Sequence, residues 1–170
     1  MNITIEFEKL SLVPISRNFA DQIFQEFTDE ITVFMYPKSP ATIEETYDFI
    51  DKALQSMQND QELQMVVIDK QTGEFLGCAG LHSINSETPE LGIWIKKSAH
   101  GQKYGREAVT ALVNWARENL NYKYLKYPVD KNNIASRKIP ESLGGVVEDE
   151  YIKTTPEGKK LDEVEYRIYR

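Results

Sequence analysis

The N-terminal end of the chain alternates apolar and polar residues, which is the pattern of a half-buried β-strand. Ile3, Ile5 and Phe7 carry the alternation, and it predicts one strand running to about Val13. Ser16 follows as a candidate helix cap, ahead of apolar residues at helical spacing. The apolar positions of this first predicted helix are Phe19, Ile23, Phe24 and Phe27.

A longer helix is predicted after a break around Tyr36 and Pro37. Thr42 and Glu45 have the spacing of a capping box, in which each side chain accepts a hydrogen bond from a backbone N–H at the helix start. Beyond them, apolar residues recur in steps of four and three, which places them on one face packed against the core. These residues are Ile43, Tyr47, Ile50, Leu54 and Met57.

The rest of the chain predicts six strands and two helices. The strands cover 64–69, 74–82, 90–95, 124–129, 146–154 and 159–169, and the helices cover 104–119 and 135–142. Three consecutive strands, then a helix and another strand, favour a mixed sheet with helices packed on it. The predicted fold class is therefore α/β, in a single domain over residues 1–170.

Charge and composition narrow the partners. The net charge of -7 argues against a nucleic-acid partner, which would need a basic surface, and is compatible with a cationic partner such as an amine. No apolar run is long enough for a transmembrane helix, and the N-terminus has no signal-peptide pattern. With Cys78 as the single cysteine, we expect a cytoplasmic protein without a membrane partner.

The segment HGQKYGREA has the composition of an anion-binding loop. It lies between the strand 90–95 and the helix 104–119, and a helix N-terminus presents unpaired N–H groups to an anion. Gly101 and Gly105 allow close approach of the backbone to a ligand, while Lys103 and Arg106 add positive charge. The dinucleotide and P-loop patterns GxGxxG and GxxxxGK[ST] are absent.

Two segments together resemble the GNAT N-acetyltransferase superfamily, in particular the branch that acetylates the N-termini of ribosomal proteins. ELGIWI followed by HGQKYGREA is similar to the family's acetyl-coenzyme A (acetyl-CoA) motif, and NNIASRKIPESLGG is similar to a second motif of that branch. The second match rests on Asn133, Ser136, Glu141 and Gly144. The resemblance implies a central mixed sheet of about seven strands flanked by about four helices, in which two parallel strands splay apart at the cofactor.

The resemblance also implies the cofactor-binding residues. The main chain of the strand at Ile93, Trp94 and Ile95 would pair with the pantetheine arm, and Asn133 and Ser136 would lie near that arm. The structural alternative for Asn133 and Ser136 is helix capping. The pyrophosphate would be held by the backbone of Gly101, Gln102, Lys103, Tyr104, Gly105 and Arg106.

Three positions depart from the family pattern. His100 replaces a glutamine or arginine, and Lys103 replaces a glycine whose backbone conformation a lysine adopts only at a cost. Pro140 stands where many relatives have a tyrosine that acts as general acid. These departures leave two functions open: acetyl-CoA-dependent N-acetylation of a primary amine, or binding of an acyl-CoA by a noncatalytic, regulatory module.

Acetylation requires a group that accepts a proton from the amine, because an alkylamine with a pKa of about 10.4 is mostly protonated at neutral pH. Glu90, at the start of the strand ELGIWI, is the first candidate base, and His82 is the second. With two histidines and one cysteine, a metal site is not expected. The acceptor, a peptide N-terminus or a small amine, and the oligomeric state, including a homodimer, stay open.

Overall fold

The computed structural model describes residues 2–170 as one mixed sheet with helices on both faces. The helices are α1 (Ala20–Glu26), α2 (Asp29–Thr32), α3 (Ile43–Gln58), α4 (Tyr104–Asn119) and α5 (Ile134–Ser142). The strands are β1 (Ile5–Phe7), β2 (Leu10–Pro14), β3 (Glu62–Asp69), β4 (Phe75–His82), β5 (Glu90–Ile95), β6 (Tyr124–Asp130), β7 (Val146–Thr154) and β8 (Lys160–Tyr169). Within this part of the chain, no helix has the length and apolar character needed to cross a bilayer.

The strand order is β1-β2-β3-β4-β5-β6-β8-β7, and all neighbours are antiparallel except β5 and β6. The predicted mixed sheet is confirmed. β3 and β4 lie in its middle, where nearly every residue is buried, which explains their continuous apolar runs. β7 is the exposed edge, and charged residues along it discourage pairing with another chain.

The single first strand predicted over residues 3–13 is wrong, because the chain reverses direction at Glu8 and forms the hairpin β1–β2. Glu8 has a positive φ of 51°, and Phe7 pairs with Leu10 across the turn. The sheet therefore has eight strands. A further short helix, α2, follows Thr28, whose hydroxyl accepts a hydrogen bond from the Ile31 N–H at 3.4 Å.

Register determines which side chains share a face of the sheet. Gln64 pairs with Gly80, and Gly80 pairs with Gly92, so these positions form one row across β3, β4 and β5. His82 lies in the next row, opposite Glu62 on one side and Glu90 on the other. We call this side the α3 face, because α1 and α3 cover its central part.

The only parallel pair of the described sheet separates almost at once. β5 and β6 are in register at a single pair, Glu90 with Lys126, and beyond it the strands diverge. Pro128 lies in the part of β6 past this pair, where the missing N–H costs nothing because no strand lies on that side. The divergence opens a wedge-shaped gap between β5 and the N-terminus of α5.

Candidate functional site

The gap continues into a cleft of about 530 Å³ at the N-terminus of α4. All of the cofactor-binding residues predicted from the sequence line this cleft except Gln102. They come from three separate segments, namely β5, the loop before α4, and the start of α5. The structure thus brings together residues that are up to 43 positions apart, from Ile93 to Ser136.

The loop before α4 is fixed by two features. Lys103 is the N-cap residue of α4 and adopts the left-handed conformation, with φ 64° and ψ 18°. The His100 imidazole Nε2 lies 2.6 Å from the carbonyl oxygen of Ile95, so that its N–H donates across the loop to the end of β5. A lysine in this conformation is strained by about 1–2 kcal/mol relative to glycine. The loop therefore keeps the backbone path that a glycine would give, with a positive side chain added.

Three cationic side chains surround the cleft without a carboxylate partner. Lys103, Arg106 and Lys138 line it, and none of them forms an ion pair within residues 2–170. In a chain of net charge -7, unpaired cations gathered at a helix N-terminus favour an anionic ligand. Lys138 was not predicted from the sequence, because its position at the cleft follows from the packing of α5.

The edge of β5 that faces the gap has backbone groups that no neighbouring strand pairs past Glu90. The Ile95 carbonyl accepts the hydrogen bond from His100, so it points away from β4 and towards the gap. Backbone groups alternate in direction along a strand, and Ile93 therefore directs its N–H and C=O the same way. Past Glu90, β6 does not pair with them, and an extended amide-containing ligand could do so.

The opposite wall of the cleft is formed by the start of α5. Asn133 is its N-cap residue, with Oδ1 accepting from the Ser136 N–H at 3.4 Å, as the capping alternative predicted. The Ser136 hydroxyl lies 2.6 Å from the hydroxyl of buried Tyr127, and burial raises the pKa of Tyr127 to about 12. Both residues still line the cleft, so capping and ligand contact are compatible.

A second cavity, of about 430 Å³, lies on the α3 face of the sheet. Its walls come from α1, α3 and the segment between α2 and α3, and its floor is the row Gln64, Gly80 and Gly92. Met35, Ile93 and Trp94 line both this cavity and the cleft. The two spaces therefore meet at the middle of β5. We call the second space the α3-face cavity.

His82 lines the α3-face cavity but not the cleft. Its Nδ1 lies 2.9 Å from the Glu62 carboxylate, which fixes Nδ1 as the donor and leaves Nε2 as the acceptor in the neutral ring. Nε2 stands beside Gly92, 3.3 Å from where a Cβ would be. The hydrogen bond to Glu62, with smaller help from the Glu90 charge, holds the pKa of His82 above its ordinary value despite partial burial.

Glu90 has a different position. It is next to His82 in the sheet register, but it lines neither the cleft nor the α3-face cavity. Glu62, which contacts His82, was not predicted as a site residue, because the two residues are 20 positions apart in the chain. Within residues 2–170, no three His, Cys, Asp or Glu side chains are placed to hold a metal ion.

The chain matches a family model and, over most of its length, a curated relative. A family model described as "Acetyltransferase (GNAT) domain" matches residues 9–146. "Uncharacterized N-acetyltransferase p20" of Bacillus licheniformis is 26% identical over 143 residues, which are 82% of this chain and 80% of that protein.

Solved structures share the fold across nearly the whole chain. The ribosomal-protein-S5-alanine acetyltransferase of Vibrio fischeri has a TM-score of 0.84 at 20% identity, over 99% of this chain and 97% of that one. The spermidine N-acetyltransferase of Vibrio cholerae, in complex with CoA and spermine, has a TM-score of 0.79 at 19% identity, over 95% of each chain. The same fold therefore accompanies two kinds of acceptor.

Proposed function

This chain belongs to the acetyltransferase (GNAT) family, and we propose that it transfers the acetyl group of acetyl-CoA to a primary amine. The family resemblance drawn from residues 90–145 is confirmed, and ribosomal-protein N-acetyltransferases are among the structural neighbours. The observation that carries the proposal is the meeting of the cleft and the α3-face cavity at β5, with His82 Nε2 beside Gly92, the residue before the shared Ile93. One space suits the acyl donor and the other suits the acceptor.

The residues of the cleft match the parts of acetyl-CoA in order. The N-terminal amides of α4, with Lys103 and Arg106, would hold the pyrophosphate. The exposed edge of β5 at Ile93 would pair with the pantetheine amides, which brings the thioester towards Gly92. Acetyl-CoA supplies an acetyl group activated as a thioester, and the side chains of the cleft bind and orient it. Asn133 and Ser136 would close the other side of the arm.

Lys103 allows a direct test of the phosphate position. We expect Lys103→Ala to weaken acetyl-CoA binding by about threefold at low salt and less at high salt, as for an exposed ion pair. Lys103→Gly also removes the charge but relieves the left-handed strain, so it should unfold at a higher temperature than Lys103→Ala. Calorimetric titration at two salt concentrations, with thermal unfolding of both variants, measures the two effects separately. Equal affinity of Lys103→Gly and the native protein at low salt would make the ammonium a bystander.

We assign the role of general base, which accepts the proton of the amine, to His82. As the amine nitrogen forms its bond to the acetyl carbon and the carbon–sulfur bond breaks, the amine loses a proton to Nε2, directly or through one water. Glu62 holds the ring in the tautomer with Nε2 unprotonated and stabilises the imidazolium that forms. The departing thiolate takes a proton from solvent. Glu90, the first candidate from the sequence, becomes the second candidate base, and it also adds negative charge near His82.

The alternative, a noncatalytic acyl-CoA-binding module, was suggested by the departures at Lys103 and Pro140, and Lys103 no longer supports it. Lys103 takes the backbone conformation that the family's glycine provides, so the substitution leaves the loop path intact. Pro140 is buried within α5 and offers no hydroxyl to the leaving thiolate. Release of free thiol from acetyl-CoA across a panel of primary amines tests the proposal. Binding of acetyl-CoA without amine-dependent thiol release would favour the alternative.

Glu62 predicts a pH effect with a definite sign. Because the Glu62 carboxylate raises the pKa of His82, Glu62→Gln should lower it, and the neutral ring should persist to lower pH. The acidic limb of the kcat/KM profile should therefore move to lower pH. Glu90→Gln is the matched control, since the Glu90 charge has the smaller influence and should move the limb less. If the acidic limb does not move in Glu62→Gln, the pH dependence of the activity does not come from His82.

A further inference from the structure

We propose that the acceptor carries its primary amine on an aromatic-sized apolar group with a polar substituent that hydrogen-bonds to Gln64. This inference rests on the proposed function, and it names the class of acceptor: hydroxyl-bearing arylalkylamines, free or as the N-terminal residue of a peptide. The evidence lies in the α3-face cavity. Its volume of about 430 Å³ is suited to a group of this size.

The walls of the α3-face cavity are mainly apolar and aromatic. Ile23, Met35 and Phe49 line it together with a ring pair, Phe27 and Trp94, whose centroids are 4.8 Å apart at 44°. Phe49 is 47% exposed, so part of its ring is open to a ligand in the cavity. Aromatic walls of this kind gain most from a flat apolar ligand, through burial and ring–ring contact.

The floor of the cavity is hollow because two glycines face each other. Gly80 and Gly92 are paired across β4 and β5, so no side chain rises from the sheet between Gln64 and Trp94. A Cβ on Gly80 would lie 2.8 Å from the Gln64 Oε1, which places the amide directly over this glycine. The hollow therefore forms a slot beside the Gln64 amide.

Gln64 is a polar residue of this floor, and its side-chain amide forms no hydrogen bond with any of residues 2–170. The residue as a whole is only 7% exposed, and its amide borders the cavity, where a ligand can reach it. The Thr46 hydroxyl also lines the cavity and is buried without a partner among residues 2–170. A hydroxyl on the ligand can both donate to Oε1 and accept from the amide nitrogen.

A polycationic acceptor fits the lining of the α3-face cavity less well. The lining includes one carboxylate, Glu45, and one lysine, Lys38, and the Glu45 carboxylate accepts a hydrogen bond from the Ala41 N–H. The described lining therefore carries no surplus of negative charge to hold a second ammonium.

The test compares initial rates of thiol release with tyramine, 2-phenylethylamine, spermidine, a tyrosine-starting tripeptide and an alanine-starting tripeptide. We expect kcat/KM for tyramine to exceed that for 2-phenylethylamine by about tenfold, the effect of one hydrogen bond. Both aryl amines should exceed spermidine. The ratio of tyramine to the tyrosine-starting tripeptide identifies the source of the aromatic group. A preference for spermidine or for the alanine-starting tripeptide overturns the inference, whereas the absence of thiol release with every amine overturns the proposed function instead.

The variant Gln64→Met removes the amide at similar length and keeps the slot apolar. We expect the tenfold advantage of tyramine over 2-phenylethylamine to fall to about one. Because the readout is a ratio of two substrates on one folded protein, a general loss of activity does not imitate it. An unchanged ratio would remove Gln64 from acceptor recognition. If the variant does not fold, competition of tyramine against 2-phenylethylamine on the native enzyme still decides the preference.

Discussion

Replacement of His82 by glutamine is expected to lower kcat by about 100-fold and to leave acetyl-CoA affinity nearly unchanged. Glutamine preserves the approximate size of the side chain and a hydrogen bond to Glu62, but it cannot accept a proton at neutral pH. The loss should appear as a lower rate of amine-dependent thiol release at saturating acetyl-CoA. Calorimetric titration of acetyl-CoA on the same variant measures whether the cleft is intact.

Glu90→Gln is the control that separates the two candidate bases. It is adjacent to His82 in the sheet, so any general disturbance of this row should affect both variants. We expect Glu90→Gln to keep most of kcat, because Glu90 lines neither space. If Glu90→Gln loses 100-fold and His82→Gln turns over normally, Glu90 is the base and the assignment to His82 is wrong.

Gly105→Val should weaken acetyl-CoA binding by about 5- to 150-fold, the range that overpacking by about 1–3 kcal/mol produces. Gly105 is in the first turn of α4, and a Cβ there would lie 3.3 Å from the Ile139 Cδ1 and 3.8 Å from the Ile93 Cγ1. A branched side chain would therefore fill the base of the cleft, where the backbone must approach the phosphate. Calorimetric titration gives the affinity.

Gly105→Ala provides a graded comparison. Its single methyl group meets the flexible end of Ile139, which can move by a few tenths of an ångström, so the loss of affinity should be smaller than for valine. Thermal unfolding of both variants checks that α4 still packs. A folded Gly105→Val protein with native affinity would place the pyrophosphate elsewhere.

The elements that the sequence predicts correctly are those with a strong local pattern. β5 and α4 begin and end at the predicted residues, Glu90–Ile95 and Tyr104–Asn119, because their periodicity and the intervening glycines agree. The missed hairpin has a signal too. Apolar residues stand at odd positions up to Phe7 and at even positions from Leu10, and a change of phase in a period-2 pattern indicates a turn or bulge.

The same distinction between local and long-range signals applies to the residues of the site. The loop and the α5 start were found because they are contiguous motifs. Glu62 and Gln64 were not found, because their partners His82 and Gly80 are set by the β3–β4 register, which no single segment of sequence specifies. The order of the two candidate bases depended on the same register, since it decides which side chain borders a cavity.

The single pair that joins β5 to β6 has a mechanical consequence. The sheet consists of a five-stranded part and a three-stranded part that are joined through this one residue pair. An extended ligand arm bound along Ile93 would fill part of the gap between them, so the free energy of binding would also hold the two parts of the sheet together. Folding stability and ligand occupancy are then linked, since a ligand that binds only the folded chain stabilises it in proportion to its affinity. The ligand would be an interchangeable ninth strand, shed and replaced at each turnover.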